Sequence, residues 1–185
     1  MSLSPSLLLT TEKSRSHFLL SALQILGASL FIALCAQIQF PLYSTPVWVT
    51  GQTFAIMLIG ATMGSRRGLL SVIAYIAEGA LGLPVYMSAH FGFASLLGIT
   101  GGYFVGFMFQ AYLVGWCIER QRSFNSLKTI AILLSSCALQ LGLGAIWLSQ
   151  YVGLEAAFMM GIVPFIAGEI LKALSITAYL KCVKS

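Results

Sequence analysis

Long apolar runs, with nine of the ten basic residues at alternate gaps between them or near the chain ends, are the feature that most limits how this chain can fold. A helix needs ~20 apolar residues to cross a hydrocarbon core of ~30 Å. The apolar runs cover 18–40, 52–63, 68–83, 98–118, 129–147 and 164–182. The second and third are short and flank Ser65, Arg66 and Arg67. Joining them into one span would place two arginines in lipid, at ~2.5–3.5 kcal/mol each on insertion scales. The pattern therefore predicts a hairpin of two short helices. Pro41, Pro46 and Pro84 close apolar runs, and Pro164 suits the first turn of the last helix.

The charges test that count. Lys13 and Arg15 precede the first run; Arg66 and Arg67 join the second to the third; Arg120, Arg122 and Lys128 join the fourth to the fifth; Lys181 and Lys184 follow or end the sixth. The other connections, 41–51, 84–97 and 148–163, hold no Lys or Arg. With six spans every one of these charges lies on one side, and the positive-inside rule makes that side cytoplasmic. A five- or seven-span reading would scatter them. The expectation is an all-α integral membrane protein, a single domain over 1–185, with six transmembrane helices and both termini cytoplasmic.

Composition agrees. Of 185 residues, 58 % are hydrophobic and only 8 % charged, against roughly 25 % charged in soluble domains. That excludes a soluble globule and a disordered chain. The net charge of +5 is absorbed by topology, so the partner it implies is the lipid bilayer and not nucleic acid. The first run is of spanning length without a small-residue cleavage site, which reads as a span and not as a secretion signal. Cys35, Cys117, Cys137 and Cys182 sit in apolar stretches without a C-x-x-C pair and read as buried thiols. There is no P-loop, no H-E-x-x-H and no G-x-S-x-G. His17 and His90 fall on opposite sides, which disfavours a metal site.

Once topology is accounted for, Lys172, Glu78 and Glu169 remain inside the membrane, with Glu155 in an outer connection. Intramembrane ionisable groups are expensive and point to function by default. Glu169 and Lys172, three apart, share a helix face. One reading is an internal ion pair that holds the last helix in place. The other is a site for a ligand with both a hydrogen-bond donor and an anionic group, with Gly168 allowing close approach. Lys172 lies ~12 Å in from Pro164 at 1.5 Å per residue, a depth that suits an outward-opening pocket. Glu78 reads either as a helix-end acid or as part of the pocket, and His90 as a solvated or rim residue. Gly60, Gly64 and Gly68, and again Gly98, Gly102 and Gly106, recur at every fourth position, as close helix packing requires. Ser29 and Ala33 form a smaller stripe that could face outward to a membrane partner.

The segments TPVWVTGQTFAIMLIGATMGSRRG (45–68), YIAEGALGLPVY (75–86), GITGGYFVGF (98–107) and PFIAGEILKA (164–173) occur in this order. Together they resemble the BioY family, the biotin-specific substrate-binding subunits (S components) of energy-coupling-factor transporters. The resemblance implies an S-component-like bundle that captures biotin from outside and imports it across the bacterial cytoplasmic membrane. It implies partners too: a transmembrane coupling subunit and two cytoplasmic ATPase subunits that use ATP. It implies no catalysis and no cofactor in this chain, and a lid formed by the loop after the first span. Carried over by position, Glu169 and Lys172 match the family's acidic-x-x-Lys motif, Thr50 and Gln52 its T-x-Q segment, and Tyr86, Gly101 and Tyr103 residues near the outer helix ends. Tyr43, Trp48, Tyr86 and Tyr103 would cover the apolar ring of biotin. Lys172 would meet either the carboxylate or the ureido oxygen, and Glu169 a ureido N–H. Three departures stand out: Glu at 169 where Asp is frequent, Ile99 where proline is common, and Ser29-x-x-x-Ala33 where an Ala-x-x-x-Ala contact motif for the coupling subunit is usual. The alternatives are the same fold serving another small vitamin or precursor, and an integral-membrane enzyme acting on lipid. The second lacks an aspartate-rich motif, since the chain has no Asp.

Overall fold

A computed structural model of the chain describes residues 5–41 and 45–184. Its long helices are α1 (Pro5–Ala36), α2 (Gln52–Ala80), α4 (Gly101–Glu119), α5 (Ser126–Val152) and α7 (Ile166–Lys184), with short helices α3 (Phe93–Leu97) and α6 (Leu154–Gly161) between them. Two-residue strands β1 (Gln39–Phe40) and β2 (Val49–Thr50) pair antiparallel, Gln39 with Thr50 and Phe40 with Val49. Among the described residues five helices, α6 and α7 counting together, are long and apolar enough to cross a membrane. α2 crosses twice. Gly64, at φ +84° and ψ 177°, breaks it into two legs, and the legs fold back so that a Cβ on Gly68 would lie 3.1 Å from the Gly60 Cα.

The expected hairpin is therefore present, but it turns one residue before the Ser-Arg-Arg segment. Glycine is needed at the turn for two reasons: its φ is positive, and a Cβ there would sit 2.1 Å from Glu119 Oε1. Glu119, at the end of α4, accepts hydrogen bonds from the Ser65 N–H (2.9 Å) and the Ser65 hydroxyl (2.8 Å), capping the second leg from across the bundle. Asn125 caps α5 in the ordinary way, accepting from the Lys128 N–H.

The interior divides into two apolar clusters. One, around Met57, Val114, Leu133, Ile176 and Leu180, fills the half near the Gly64 turn. The other, around Ile32, Tyr75, Tyr86, Phe104, Phe107 and Phe165, fills the opposite half. Arg66, Arg67, Arg120, Arg122, Lys128 and Lys181 belong to the first end. Outward-facing side chains are apolar, among them Leu23, Leu30, Leu34, Phe109, Ile146 and Leu171, as lipid contact requires.

Ser29 and Ala33 correct an expectation. They do not face outward: Ser29 is fully buried and Ala33 nearly so. The Ser29 hydroxyl donates to Glu78 on the second leg of α2. Small residues here let α1 approach α2 and supply a donor to an acid in the membrane, while the outer face of α1 is leucine-rich.

Candidate functional site

At ~1.5 Å per residue, the first leg of α2 is roughly 18 Å long, well short of the ~30 Å hydrocarbon core. Its start at Gln52 therefore stops below the outer surface and leaves a hollow. Thr50 of β2 lines it, and α4, α5 and α7 supply walls. The hollow encloses about 270 Å³, near the lower end of the ~300–1,000 Å³ range of small-molecule pockets.

Its polar floor is one connected network. Lys172 Nζ donates to Glu169 Oε1 (2.7 Å), to Thr53 Oγ1 (2.7 Å) and to the Thr50 carbonyl (2.9 Å). Thr53 Oγ1 in turn donates to Glu169 Oε1 at 2.7 Å. On the far side the Cys137 thiol donates weakly to Glu169 Oε2 at 3.2 Å, and Gln110 Nε2 donates to Cys137 Sγ at 3.4 Å. Glu169 is 3 % exposed. A carboxylate this deep is tolerated because an ammonium and a hydroxyl neutralise and solvate it. Its Oε2, with only a thiol as donor, keeps acceptor capacity in hand.

The rest of the lining is largely apolar. Tyr86 and Phe104 (ring centroids 4.8 Å apart), with Phe107, form one wall. The phenol of Tyr86 is tied to the Ile76 carbonyl (2.6 Å), and that of Tyr103 to the Gly161 carbonyl (2.9 Å). Both rings are thereby oriented with their polar tips satisfied. Gln52, which lines the floor, donates to the Tyr75 hydroxyl and accepts from Thr50 Oγ1 at 3.0 Å. Toward the outside lie Trp48, His90, Ser95 and Thr100. Thr45, in the loop before β2, donates to the Met160 carbonyl (2.7 Å) and so ties that loop to α6.

Of the residues read from sequence, Trp48, Thr50, Gln52, Tyr86, Tyr103, Glu169 and Lys172 meet at this cavity. Tyr43 lies outside the described residues. Gly101 is not at the cavity: it begins α4 and packs against Leu96 and Trp147, where a Cβ would come within 2.2 Å of the Leu96 carbonyl oxygen. Gly168 meets only Val49, at an ordinary 3.9 Å from a built Cβ. Glu78 is bound to Ser29 and stands apart from the cavity, whereas His90 lies at its rim. Sequence reasoning missed Thr53, Cys137 and Gln140, all uncharged. The one available signal was their polarity inside otherwise apolar spans.

A family profile described as "BioY family" matches residues 10–185. The chain is 33 % identical over 155 residues to a protein of Pyrococcus horikoshii named "Probable biotin transporter BioY", covering 83 % of this chain and 91 % of that one. It is 36 % identical over 157 residues to "Biotin transporter BioY" of Thermotoga maritima, covering 80 % and 88 %. A solved structure titled "Crystal structure at 2.1 A of the S-component for biotin from an ECF-type ABC transporter" superposes with a TM-score of 0.81 at 27 % identity, over 91 % of this chain and 92 % of that chain.

Proposed function

The chain belongs to the BioY family, and on that footing we propose that it captures biotin from outside as the substrate-specific subunit of an energy-coupling-factor transporter. The observation that carries this reading is the Lys172–Glu169–Thr53 network at the floor of an apolar-walled cavity of about 270 Å³. Biotin matches the cavity in three parts. Its cyclic urea offers two N–H donors and a carbonyl, its thioether ring suits the Tyr86–Phe104 wall, and its carboxylate is best left near water.

The ureido head goes to the floor. A second carboxylate beside Glu169 would meet like charge in a low-dielectric site. The neutral urea instead joins the network: its oxygen accepts a hydrogen bond from Lys172 in place of the Thr50 carbonyl, and an N–H donates to Glu169. The valerate then runs outward toward Ser95, Thr100 and His90.

The chain is a binding subunit and not an enzyme. Lacking a P-loop, it must obtain the work of release elsewhere. Its partners are a transmembrane coupling subunit and two cytoplasmic ATPase subunits, its setting is the bacterial cytoplasmic membrane, and it carries no cofactor of its own.

Calorimetry on the purified chain in detergent tests the proposal. Wild type is expected to bind one biotin per chain tightly. Lys172→Ala should lose at least ~30-fold in affinity, because it leaves Glu169 buried and uncompensated. Equal affinity in wild type and variant would remove the site assignment. A folded wild type that ignores biotin but binds another vitamin in a competitor panel would change the ligand.

A further inference from the structure

Gln140, midway along α5, lines the cavity and is 1 % exposed. Its Oε1 has no hydrogen-bond partner among the described residues. Leaving a buried amide oxygen unpaired is costly, and folded proteins seldom tolerate it. Gln110 Oε1 and Gln121 Nε2 are also unpaired among the described residues, but neither residue lines the cavity. Only at Gln140 can a ligand deliver the missing donor.

The position is constrained. Cys137, whose thiol reaches Glu169 Oε2 at 3.2 Å, lies three residues earlier on the same face of α5. Gln140 is therefore about 4.5 Å further along the helix, at ~1.5 Å per residue, toward the outer end. Gly106 on α4 leaves room for it: a Cβ there would come within 3.0 Å of the Gln140 Cα and Cγ. The glutamine stem is thus held against a bare stretch of α4 backbone, in the wall of the cavity.

We infer that Gln140 is a specificity-determining residue whose Oε1 accepts an N–H from the ligand's polar head while the Glu169 carboxylate accepts a second. Two acceptors on residues that line one cavity select a small ring carrying two N–H donors. A head with one N–H leaves one acceptor unpaired and is rejected, since an unmet buried polar group costs far more than a missing apolar contact. This rests on the biotin reading above, whose cyclic urea carries such a pair.

The test pairs the protein with two carbamate analogues of biotin, each having one ureido N–H replaced by ring oxygen. Gln140→Met, of similar length and flexibility, is compared with wild type by calorimetry and by melting of the ligand-free protein in detergent; Gln140→Leu replaces it if the Met variant does not fold. Biotin affinity should fall about tenfold, with ligand-free melting unchanged or raised because an unpaired polar atom is gone. Wild type should discriminate against both analogues, and the variant should lose its discrimination against one of them alone. Unchanged biotin affinity in the variant, equal discrimination in both proteins, or a lowered ligand-free melting temperature would overturn the assignment, the last by marking Gln140 as structural. A folded wild type that binds no biotin would instead overturn the reading on which it rests.

Discussion

Thr53 holds the acid–base pair in one geometry. Its hydroxyl accepts from Lys172 and donates to Glu169, both at 2.7 Å, so neither long side chain is free to choose another rotamer. Thr53→Val keeps the shape but removes both bonds. Biotin affinity is expected to drop about tenfold, measured by calorimetry, and an unchanged value would mean that packing alone positions the pair. The double variant Lys172→Met, Glu169→Gln separates ligand binding from structure. It removes a buried pair together, which proteins often tolerate, so the protein should fold normally by size exclusion and melting yet lose biotin; loss of folded protein would make the pair structural. Glu169 and Lys172 were legible in the sequence because a charge in hydrocarbon has no inexpensive explanation. Thr53 and Gln140 were not, because hydroxyl and amide side chains are common enough in membrane helices to pass as packing. Ser29 misled in the opposite direction: a small residue on an apolar helix looks the same whether it faces a partner or, as here, an acid on the neighbouring helix.

At the scale of elements, the site exists because one helix is short. The first leg of α2 begins at Gln52 and ends at Gly64, and that length sets the depth of the floor. Hydropathy and the two arginines made the hairpin legible. The hollow above it was not, because depth emerges only when a short leg stands among longer neighbours. Nor were β1 and β2, whose two-residue pairing lacks any sequence period. The turn itself depends on Gly64 and Glu119. Gly64→Ala should lower the melting temperature in detergent, since it forces an alanine to positive φ and displaces the Glu119 carboxylate from Ser65. The expected cost is about 2 kcal/mol or more, and an unchanged melting temperature would show that the turn relaxes freely. At the other end, Thr45 fastens the loop beside the cavity to α6. Thr45→Val should speed biotin dissociation several-fold with little change in association, as read by stopped-flow fluorescence. An equal slowing of association would mean that the loop shapes the cavity instead of closing it.

The whole molecule is an apolar bundle with chemically different ends, and its orientation follows from that difference. The end near the Gly64 turn carries Arg66, Arg67, Arg120, Arg122 and Lys128, while the cavity opens at the other. Because the leucine-rich face of α1 and not Ser29 or Ala33 meets the surroundings, loss of uptake in Ala33→Trp would report on packing and not on contact with a coupling subunit. Orientation has a cleaner probe in the cysteines. Cys35 and Cys137 are buried and Cys117 is half-buried, but Cys182, in the last turn of α7 beside Lys181, is exposed. A membrane-impermeant maleimide should therefore label the chain in inverted vesicles and leave it unlabelled in right-side-out ones, with Cys182→Ser abolishing the signal. Labelling from the outside would place the basic end on the wrong face for the positive-inside rule. The cavity would then open to the cytoplasm, and capture from outside could not be its task.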